Sequence, residues 1–113
     1  MNFRNFGETG PSVSEIGLGC WQLGGDWGDV DDYTAQKVLE GAVQSGINFY
    51  DTADVYGKGR SEELLHKYLK PMAPNAFIAT KLGRFPGPGN SENYTFENFR
   101  RFTENSLKRL NID

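Results

Sequence analysis

Apolar residues follow two different spacings along the chain, and the first spacing predicts helices. In three stretches the apolar residues recur every three or four positions, as they do on one face of a helix. These stretches lie at 32–45, 61–70 and 96–110. Gly46 and Pro71 suit the ends of the first two helices, while Ser61 and Thr95 suit the N-caps of the last two. We expect the third helix to pack one face on the strands, formed by Phe96, Phe99, Thr103, Leu107 and Leu110.

The second spacing consists of short apolar runs, which predict strands. One run, interrupted by glycines, leads to Cys20 and Trp21, and two others lie at 47–51 and 76–81. Residues 3–13 hold two short stretches around a glycine-containing turn, which predicts a hairpin. The order is therefore a hairpin followed by three strand–helix units. This alternation favours a parallel sheet that is buried on both faces.

The loop after the first parallel strand decides between an open sheet and a barrel. An open dinucleotide-binding sheet needs G-x-G-x-x-G there, but Gln22 follows Gly17 and Gly19 in place of the third glycine. A barrel instead brings the ends of its strands to one mouth. The three predicted strands lead to Trp21, Asp51 and Lys81. We therefore predict the N-terminal part of a (β/α)8 TIM barrel, preceded by a β-hairpin, as a single incomplete domain over residues 1–113.

The composition and net charge bear on which partners the protein binds. The 12 basic and 15 acidic residues give a net charge of −3 without a basic run, so we expect no nucleic acid and no membrane as partner. Cys20 is the single cysteine, which favours a reducing, cytoplasmic location. No stretch resembles a signal peptide or a membrane span. We also expect no metal ion.

The segment "NFYDTADVYGKGRSEELL" (48–65) follows a predicted strand with Asp51, Asp54 and Tyr56. A turn rarely needs two aspartates and a tyrosine in this arrangement. Together with "GLGCWQLGG" and "FIATKLG", the segment "GINFYDTADVYGKGRSEELL" resembles the aldo-keto reductase superfamily. The resemblance covers essentially the whole chain, and the D-T-A-x-x-Y-G segment before an S-E helix is highly specific.

This resemblance implies a fold, a reaction and a set of residues. Members are (β/α)8 barrels that move a hydride between a nicotinamide cofactor, usually NADPH, and a small-molecule carbonyl. Of the family's catalytic Asp, Tyr, Lys and His, the first three match Asp51, Tyr56 and Lys81, and the histidine is expected a few residues beyond Asp113. The single histidine of the chain, His66, reads as a solvated helix residue. The resemblance places four residues at the cofactor: Gly19, Cys20, Trp21 and Asp51.

The chemistry explains why these residue types belong together. Hydride transfer to a carbonyl leaves an alkoxide unless a proton arrives, and Tyr56 can supply one. An ordinary phenol has a pKa of about 10 and gives up its proton reluctantly. A neighbouring ammonium stabilises the phenolate, which is the expected role of Lys81. Asp51 would hold Lys81 and accept a hydrogen bond from the cofactor ribose.

Three neighbouring residues have plainer interpretations. We expect Asp54 to form or brace a turn, since no catalytic need for it is evident. Cys20 is expected to be a small buried residue and not a nucleophile. Trp21 either covers the barrel mouth or contacts substrate or nicotinamide, and the two roles are compatible.

Other functions are compatible with the same fold. Some barrels of this family act as cofactor-sensing subunits of a channel or regulator, although an intact catalytic trio argues against that reading. A barrel takes about 250 residues, so the 113 residues alone are expected to be an inactive fragment. Such a fragment would self-associate or need the remainder of the barrel. The substrate itself is not encoded in the residues present.

Overall fold

A two-stranded hairpin opens the chain in the computed structural model, which describes residues 1–87 and 89–112. Strand β1 (Phe3–Asn5) pairs antiparallel with β2 (Ser12–Ser14), with Phe3 opposite Ser14. The predicted hairpin is therefore confirmed.

Three further strands form one parallel sheet in the order β3–β4–β5. They are β3 (Leu18–Gly19), β4 (Phe49–Asp51) and β5 (Phe77–Ala79). Gly19 lies opposite Asp51, and Asp51 lies opposite Ala79. Because the strands are parallel and in this register, their carboxyl ends meet at one edge of the sheet. The predicted parallel sheet is confirmed, with shorter strands than the apolar runs indicated.

Helices follow each parallel strand, as predicted. Helix α1 (Asp32–Gln44) follows β3, and the Asp31 carboxylate caps it by accepting the Thr34 N–H at 2.7 Å. After β4 comes one continuous helix in three parts: α2 (Arg60–Leu64), a π turn (Leu65–Leu69) and α3 (Lys70–Met72). Helix α4 (Phe96–Leu110) follows β5, and Thr95 caps it as predicted, accepting the Asn98 N–H at 3.2 Å. No helix of the described residues is long and apolar enough to cross a bilayer.

Two predicted helix ends differ from the structure. Ser61 is not an N-cap: α2 begins at Arg60, and Ser61 is buried inside the first turn. Its hydroxyl accepts a hydrogen bond from Thr52 at 2.9 Å and donates one to the Cys20 carbonyl at 2.8 Å, so the serine joins the helix to the sheet and does not cap it. The second helix continues one residue past Pro71, which lacks an N–H and weakens only the last turn.

The buried face of α4 also differs from the prediction. In the predicted face Leu110 is buried, but Phe96 is 86% exposed, and the other buried residues of the helix are Phe102 and Ser106. The physical reason is an ion pair between α4 and α2, in which Arg109 Nε lies 2.6 Å from Glu62 Oε2. Glu62 is fully buried and needs a partner, so the pair sets the rotation of α4 about its own axis.

Apolar side chains cover both faces of the parallel sheet. On one face the helices pack over a cluster of ten buried residues: Cys20, Leu23, Ala35, Leu39, Ala42, Tyr50, Leu64, Leu65, Leu69 and Leu110. On the other face Phe6 of the hairpin region contacts the strands, with its ring 5.9 Å from that of Phe49 and 5.0 Å from that of Phe77. The sheet thus has the two apolar faces that a parallel barrel requires.

We expect the 113-residue chain, expressed by itself, to self-associate. Within residues 1–87 and 89–112 the outer edges of β3 and β5 pair with no other strand, and open edges attract other strands. Ile16 and Phe6 are also 61% and 50% exposed. Size-exclusion chromatography with light scattering measures the assembly state. A well-folded monomer over a range of concentrations would contradict this expectation.

Candidate active site

A lysine and an aspartate meet at the carboxyl edge of the sheet. Asp51 is the last residue of β4, and Lys81 lies two residues beyond β5. Lys81 Nζ lies 2.8 Å from Asp51 Oδ1 and 2.9 Å from Oδ2, and it donates a third hydrogen bond to the Thr52 carbonyl at 2.9 Å. Both side chains of the pair are about half exposed, 53% for Lys81 and 49% for Asp51. The ion pair is therefore open to solvent on the side of the barrel mouth.

Tyr56 completes this cluster. It lies in the turn after β4, and its hydroxyl is 3.3 Å from Lys81 Nζ. The ammonium also lies 5.2 Å from the centre of the Tyr56 ring. The structure thus brings together Asp51, Tyr56 and Lys81, the three residues that the sequence grouped.

The charge of Lys81 depends on two opposing effects. Partial burial by itself lowers the pKa of Lys81, but the hydrogen bonds to Asp51 and Tyr56, together with the charge of Asp51, raise that pKa by more. The pKa of Lys81 ends above its ordinary value. Lys81 therefore stays an ammonium through neutral and mildly alkaline pH, as a group that stabilises a phenolate must.

Trp21 forms one wall beside the tyrosine. Its ring stacks on that of Tyr56, with centres 5.8 Å apart and planes 18° apart. Its indole N–H donates to Asp26 Oδ2 at 3.2 Å, and the same oxygen accepts the Gly57 N–H at 3.2 Å. A pocket of about 270 Å³ opens here, lined by Trp21, Asp26, Val55, Tyr56 and Arg84. The pocket thus has an aromatic wall and two charged side chains beside Tyr56.

Sequence reasoning missed Asp26 and Arg60, which hold this wall in place. Arg60 donates hydrogen bonds to the carbonyls of Leu23 at 2.5 Å and Val30 at 2.8 Å, near the two ends of the loop that carries Asp26. The sequence of the loop "GGDWGDV" does not distinguish an aspartate that braces the loop from one that is only solvated. These contacts join residues about 30 positions apart, and only the folded chain reveals them.

Two glycines allow the Trp21 loop to approach the Tyr56 turn. Gly57 has φ +59°, and a Cβ there would lie 2.7 Å from Gly24 Cα and still closer to the Gly24 carbonyl oxygen. A side chain at either position would push the two backbones apart and separate Asp26 from the Gly57 N–H. The close approach is therefore part of what holds Trp21 against Tyr56.

We expect Gly57→Ala to destabilise the protein more than an alanine at an open glycine of similar backbone conformation. Gly7 has φ +75° and nothing within 4 Å of its Cβ position, so Gly7→Ala carries only the backbone cost of about 1–2 kcal/mol. Gly57→Ala adds a clash with backbone, which costs about 1–3 kcal/mol more. Urea unfolding of both variants in the complete protein measures the difference. Equal losses of free energy would contradict the close contact.

The residues predicted at the cofactor occupy two different environments. Gly19 is exposed, with nothing within 4 Å of its Cβ position, and Trp21 is 42% exposed. Cys20 is fully buried: its N–H donates to the Asp51 carbonyl, its thiol lies 3.5 Å from the Leu18 carbonyl, and its own carbonyl accepts from a serine. These contacts pack Cys20 under the carboxyl edge of the sheet, and its contact with a cofactor stays a prediction.

Burial also decides the chemistry of Cys20. Desolvation, with a contribution from the charge of Asp51, raises the pKa of the Cys20 thiol to about 12. The expectation that Cys20 is a small buried residue is confirmed.

The remaining candidates lie outside the cluster. His66 is exposed on the π turn, as expected of a solvated residue. Asp54 is buried and accepts backbone hydrogen bonds from the loop after β5, which confirms a bracing role. Among the described residues no group of three or more metal-ligating side chains is present.

A parallel α/β sheet with Asp, Tyr and Lys at its carboxyl edge has the arrangement of part of an α/β barrel with its site at the mouth, and comparison with known proteins agrees. The model of the aldo/keto reductase family matches residues 15–113, and the chain belongs to that family. It is 36% identical over 119 residues to the aldo-keto reductase YhdN of Bacillus subtilis, and the match covers all of this chain and 35% of that protein.

Two further relatives extend the comparison. A protein of Arabidopsis thaliana described as a probable voltage-gated potassium channel subunit beta is 32% identical over 117 residues, covering all of this chain and 35% of the other. The solved aldo-keto reductase AKR11C1 of Bacillus halodurans, in its holo form, superimposes with a TM-score of 0.80 at 30% identity, covering all of this chain and 37% of that one. The chain thus spans about a third of the length of the curated relatives it matches, and it forms the N-terminal part of their barrel.

Proposed function

We propose that the barrel containing this chain reduces aldehydes and ketones to alcohols with NADPH, using Tyr56 as the proton donor. The observation that carries the proposal is the position of Lys81 Nζ, 3.3 Å from the Tyr56 hydroxyl and 2.8 Å from Asp51 Oδ1. A structural ion pair does not need a phenol as its third member, whereas proton transfer to a carbonyl needs a positioned group that carries an ionisable proton, as this phenol does.

Each residue of the cluster has a separate task. The Tyr56 O–H donates its proton to the carbonyl oxygen of the substrate as negative charge develops there. The Lys81 ammonium stabilises the phenolate that remains. Asp51 holds Lys81 with both carboxylate oxygens and so keeps the ammonium beside the phenol. The pocket lined by Tyr56 is where we expect a small carbonyl compound to reach the hydroxyl.

The residues at the mouth fit the nicotinamide end of the cofactor. Gly19 leaves open space where a side chain would stand, Trp21 presents an exposed ring, and the half-exposed Asp51 carboxylate can accept a ribose hydroxyl. When bound, the reduced nicotinamide supplies the hydride. The choice of NADPH over NADH follows the family resemblance, and we expect the protein to act in the cytoplasm because the single cysteine of this chain forms no internal disulfide.

A second candidate function is a cofactor-sensing subunit that binds NADPH without turning over carbonyl substrates. One relative, described as a probable potassium channel subunit beta, favours it. The Asp51–Lys81–Tyr56 cluster favours the reductase, since binding alone does not require a proton donor at 3.3 Å from an ammonium.

One assay of the complete protein distinguishes the reductase from the cofactor-sensing subunit. A panel of aldehydes, ketones and sugars is incubated with NADPH or with NADH, and the alcohol products are identified by mass spectrometry. The reductase proposal predicts alcohol formation with NADPH at a higher kcat/KM than with NADH. Tight NADPH binding in a fluorescence titration, with no alcohol from any member of the panel, would favour the sensing subunit instead.

A further inference from the structure

Asp54 joins the backbone around Lys81 to the backbone around Tyr56. It is buried, with 1% of its surface exposed, two residues before Tyr56 in sequence. Its N–H donates to the Lys81 carbonyl at 2.9 Å. Its Oδ2 accepts three consecutive N–H groups of the loop after Lys81: Gly83 at 2.9 Å, Arg84 at 3.3 Å and Phe85 at 3.3 Å. Four hydrogen bonds therefore connect one aspartate to the loop that carries the lysine.

These bonds matter because the Lys81 side chain has little packing of its own. It is 53% exposed, and its ammonium is held by Asp51, the Thr52 carbonyl and the Tyr56 hydroxyl. The distance from Nζ to the hydroxyl thus depends on where the two backbone segments lie. A buried carboxylate that accepts three N–H groups forms strong, charge-assisted bonds and fixes that placement.

The loop is anchored on the other side of Lys81 as well. The Thr80 hydroxyl donates to Glu62 Oε1 at 2.7 Å, and Glu62 is itself paired with Arg109. Lys81 therefore lies between two buried carboxylates, Glu62 before it and Asp54 after it. Of the two, only Asp54 belongs to the segment that carries Tyr56.

We propose that Asp54 is a positioning residue for the proton relay, meaning proton donation by Tyr56 beside the Lys81 ammonium. Asp54 sets the separation of Lys81 Nζ and the Tyr56 hydroxyl through the backbone on both sides. The inference rests on the proposed reductase function. Asp54 acts through Lys81 and Tyr56 and does not touch the substrate. It follows that a change at Asp54 alters the chemical step more than substrate binding.

The test compares Asp54→Asn with the parental protein in the complete barrel. Asparagine keeps the shape and loses the charge, so the loop bonds weaken and the Lys81–Tyr56 distance grows. Because a misplacement of about 1 Å can cost about a hundredfold in rate, we expect kcat to fall about tenfold with KM within about twofold. The alkaline decline of kcat should move to higher pH, since the ammonium stabilises the phenolate less.

Asp31→Ala is the matched control. Asp31 also accepts a backbone N–H through its carboxylate, that of Thr34 at 2.7 Å, but it caps α1 and lies outside the Asp51–Tyr56–Lys81 cluster. The control should lower the melting temperature and leave kcat and its pH dependence unchanged. All assays are run under conditions in which circular dichroism shows that the variants are folded. If Asp54→Asn is unfolded, it is replaced by Asp54→Ser, which keeps one short oxygen acceptor.

A second readout separates this inference from the proposed function. NMR of the protein labelled at the tyrosine ζ-carbon follows the ionisation of Tyr56 without substrate. If the parental protein reduces no carbonyl, the reductase proposal fails, while the Tyr56 titration still decides the role of Asp54. A titration in Asp54→Asn that moves to higher pH supports positioning. A titration and a kcat profile identical to the parental ones, or equal kcat losses in Asp54→Asn and Asp31→Ala, would overturn it.

Discussion

We expect Tyr56→Phe to abolish most carbonyl reduction in the complete protein and to leave NADPH binding near the parental value. The substitution removes one hydroxyl and keeps the ring that stacks on Trp21. General acid catalysis by a positioned side chain contributes about 10²–10⁴-fold, so we expect kcat to fall by that factor. Stopped-flow hydride transfer and a fluorescence titration with NADPH measure the two quantities separately.

Tyr68→Phe is the matched control for this loss. Tyr68 also belongs to an Asp–Lys–Tyr group, since its hydroxyl lies 2.9 Å from Asp32 Oδ2 and Lys67 Nζ lies 4.8 Å from its ring centre. That group lies on helices α1 and α2–α3 and not at the carboxyl edge of the sheet. The control should keep the parental rate. Hydride transfer in Tyr56→Phe at the parental rate would rule out Tyr56 as the proton donor.

Lys81→Met should reduce kcat about a hundredfold, because the phenolate loses the ammonium 3.3 Å away. The alkaline decline of the rate should also move to higher pH. We expect a small stability cost, since the Asp51 side chain is 49% exposed in this chain and can be hydrated without its partner. An exposed pair contributes about 0–1 kcal/mol, so we expect the free energy of unfolding to change by no more than that.

Lys67→Met removes an equivalent cation from the group formed by Asp32, Lys67 and Tyr68. Lys67 Nζ lies 2.7 Å from Asp32 Oδ2, and its loss should change neither kcat nor the pH profile. The coupling between Lys81 and Tyr56 would be refuted by a pH–rate profile that Lys81→Met leaves unchanged.

The grouping of Asp51 and Lys81 could be predicted from the sequence because parallel strands have a simple geometry. Two strand–helix units place their strands side by side. Residues at the carboxyl ends of these strands then lie close together, and this does not depend on the sequence between the strands. The register bears this out, since Asp51 lies opposite Ala79, two residues before Lys81. Tyr56 followed from the resemblance carried by "DTADVYG" and from the chemistry of a phenol beside an ammonium.

The contacts that the sequence did not predict depend on helix rotation and loop folding. Ser61 suits an N-cap by its type and position, but its hydroxyl instead joins Thr52 to the Cys20 carbonyl. The predicted buried face of α4 was wrong because the buried Glu62 forms an ion pair with Arg109. The spacing of apolar residues carries no information about such a pair. Asp26 lies in a glycine-rich loop whose path is set by contacts made after folding. In each case a hydrogen bond or ion pair with a residue distant in sequence determined the side chain's position, and the local sequence pattern did not.

The most direct test of the account is hydride transfer in the complete protein, measured by stopped-flow loss of NADPH absorbance after mixing with an aldehyde, in H₂O and in D₂O. If Tyr56 delivers a proton in the step that moves the hydride, the parental rate is slower in D₂O. Tyr56→Phe then shows a much slower rate that responds less to D₂O. A parental protein that binds NADPH and consumes none, or a Tyr56→Phe variant with the parental rate and the parental isotope effect, would contradict the proton relay.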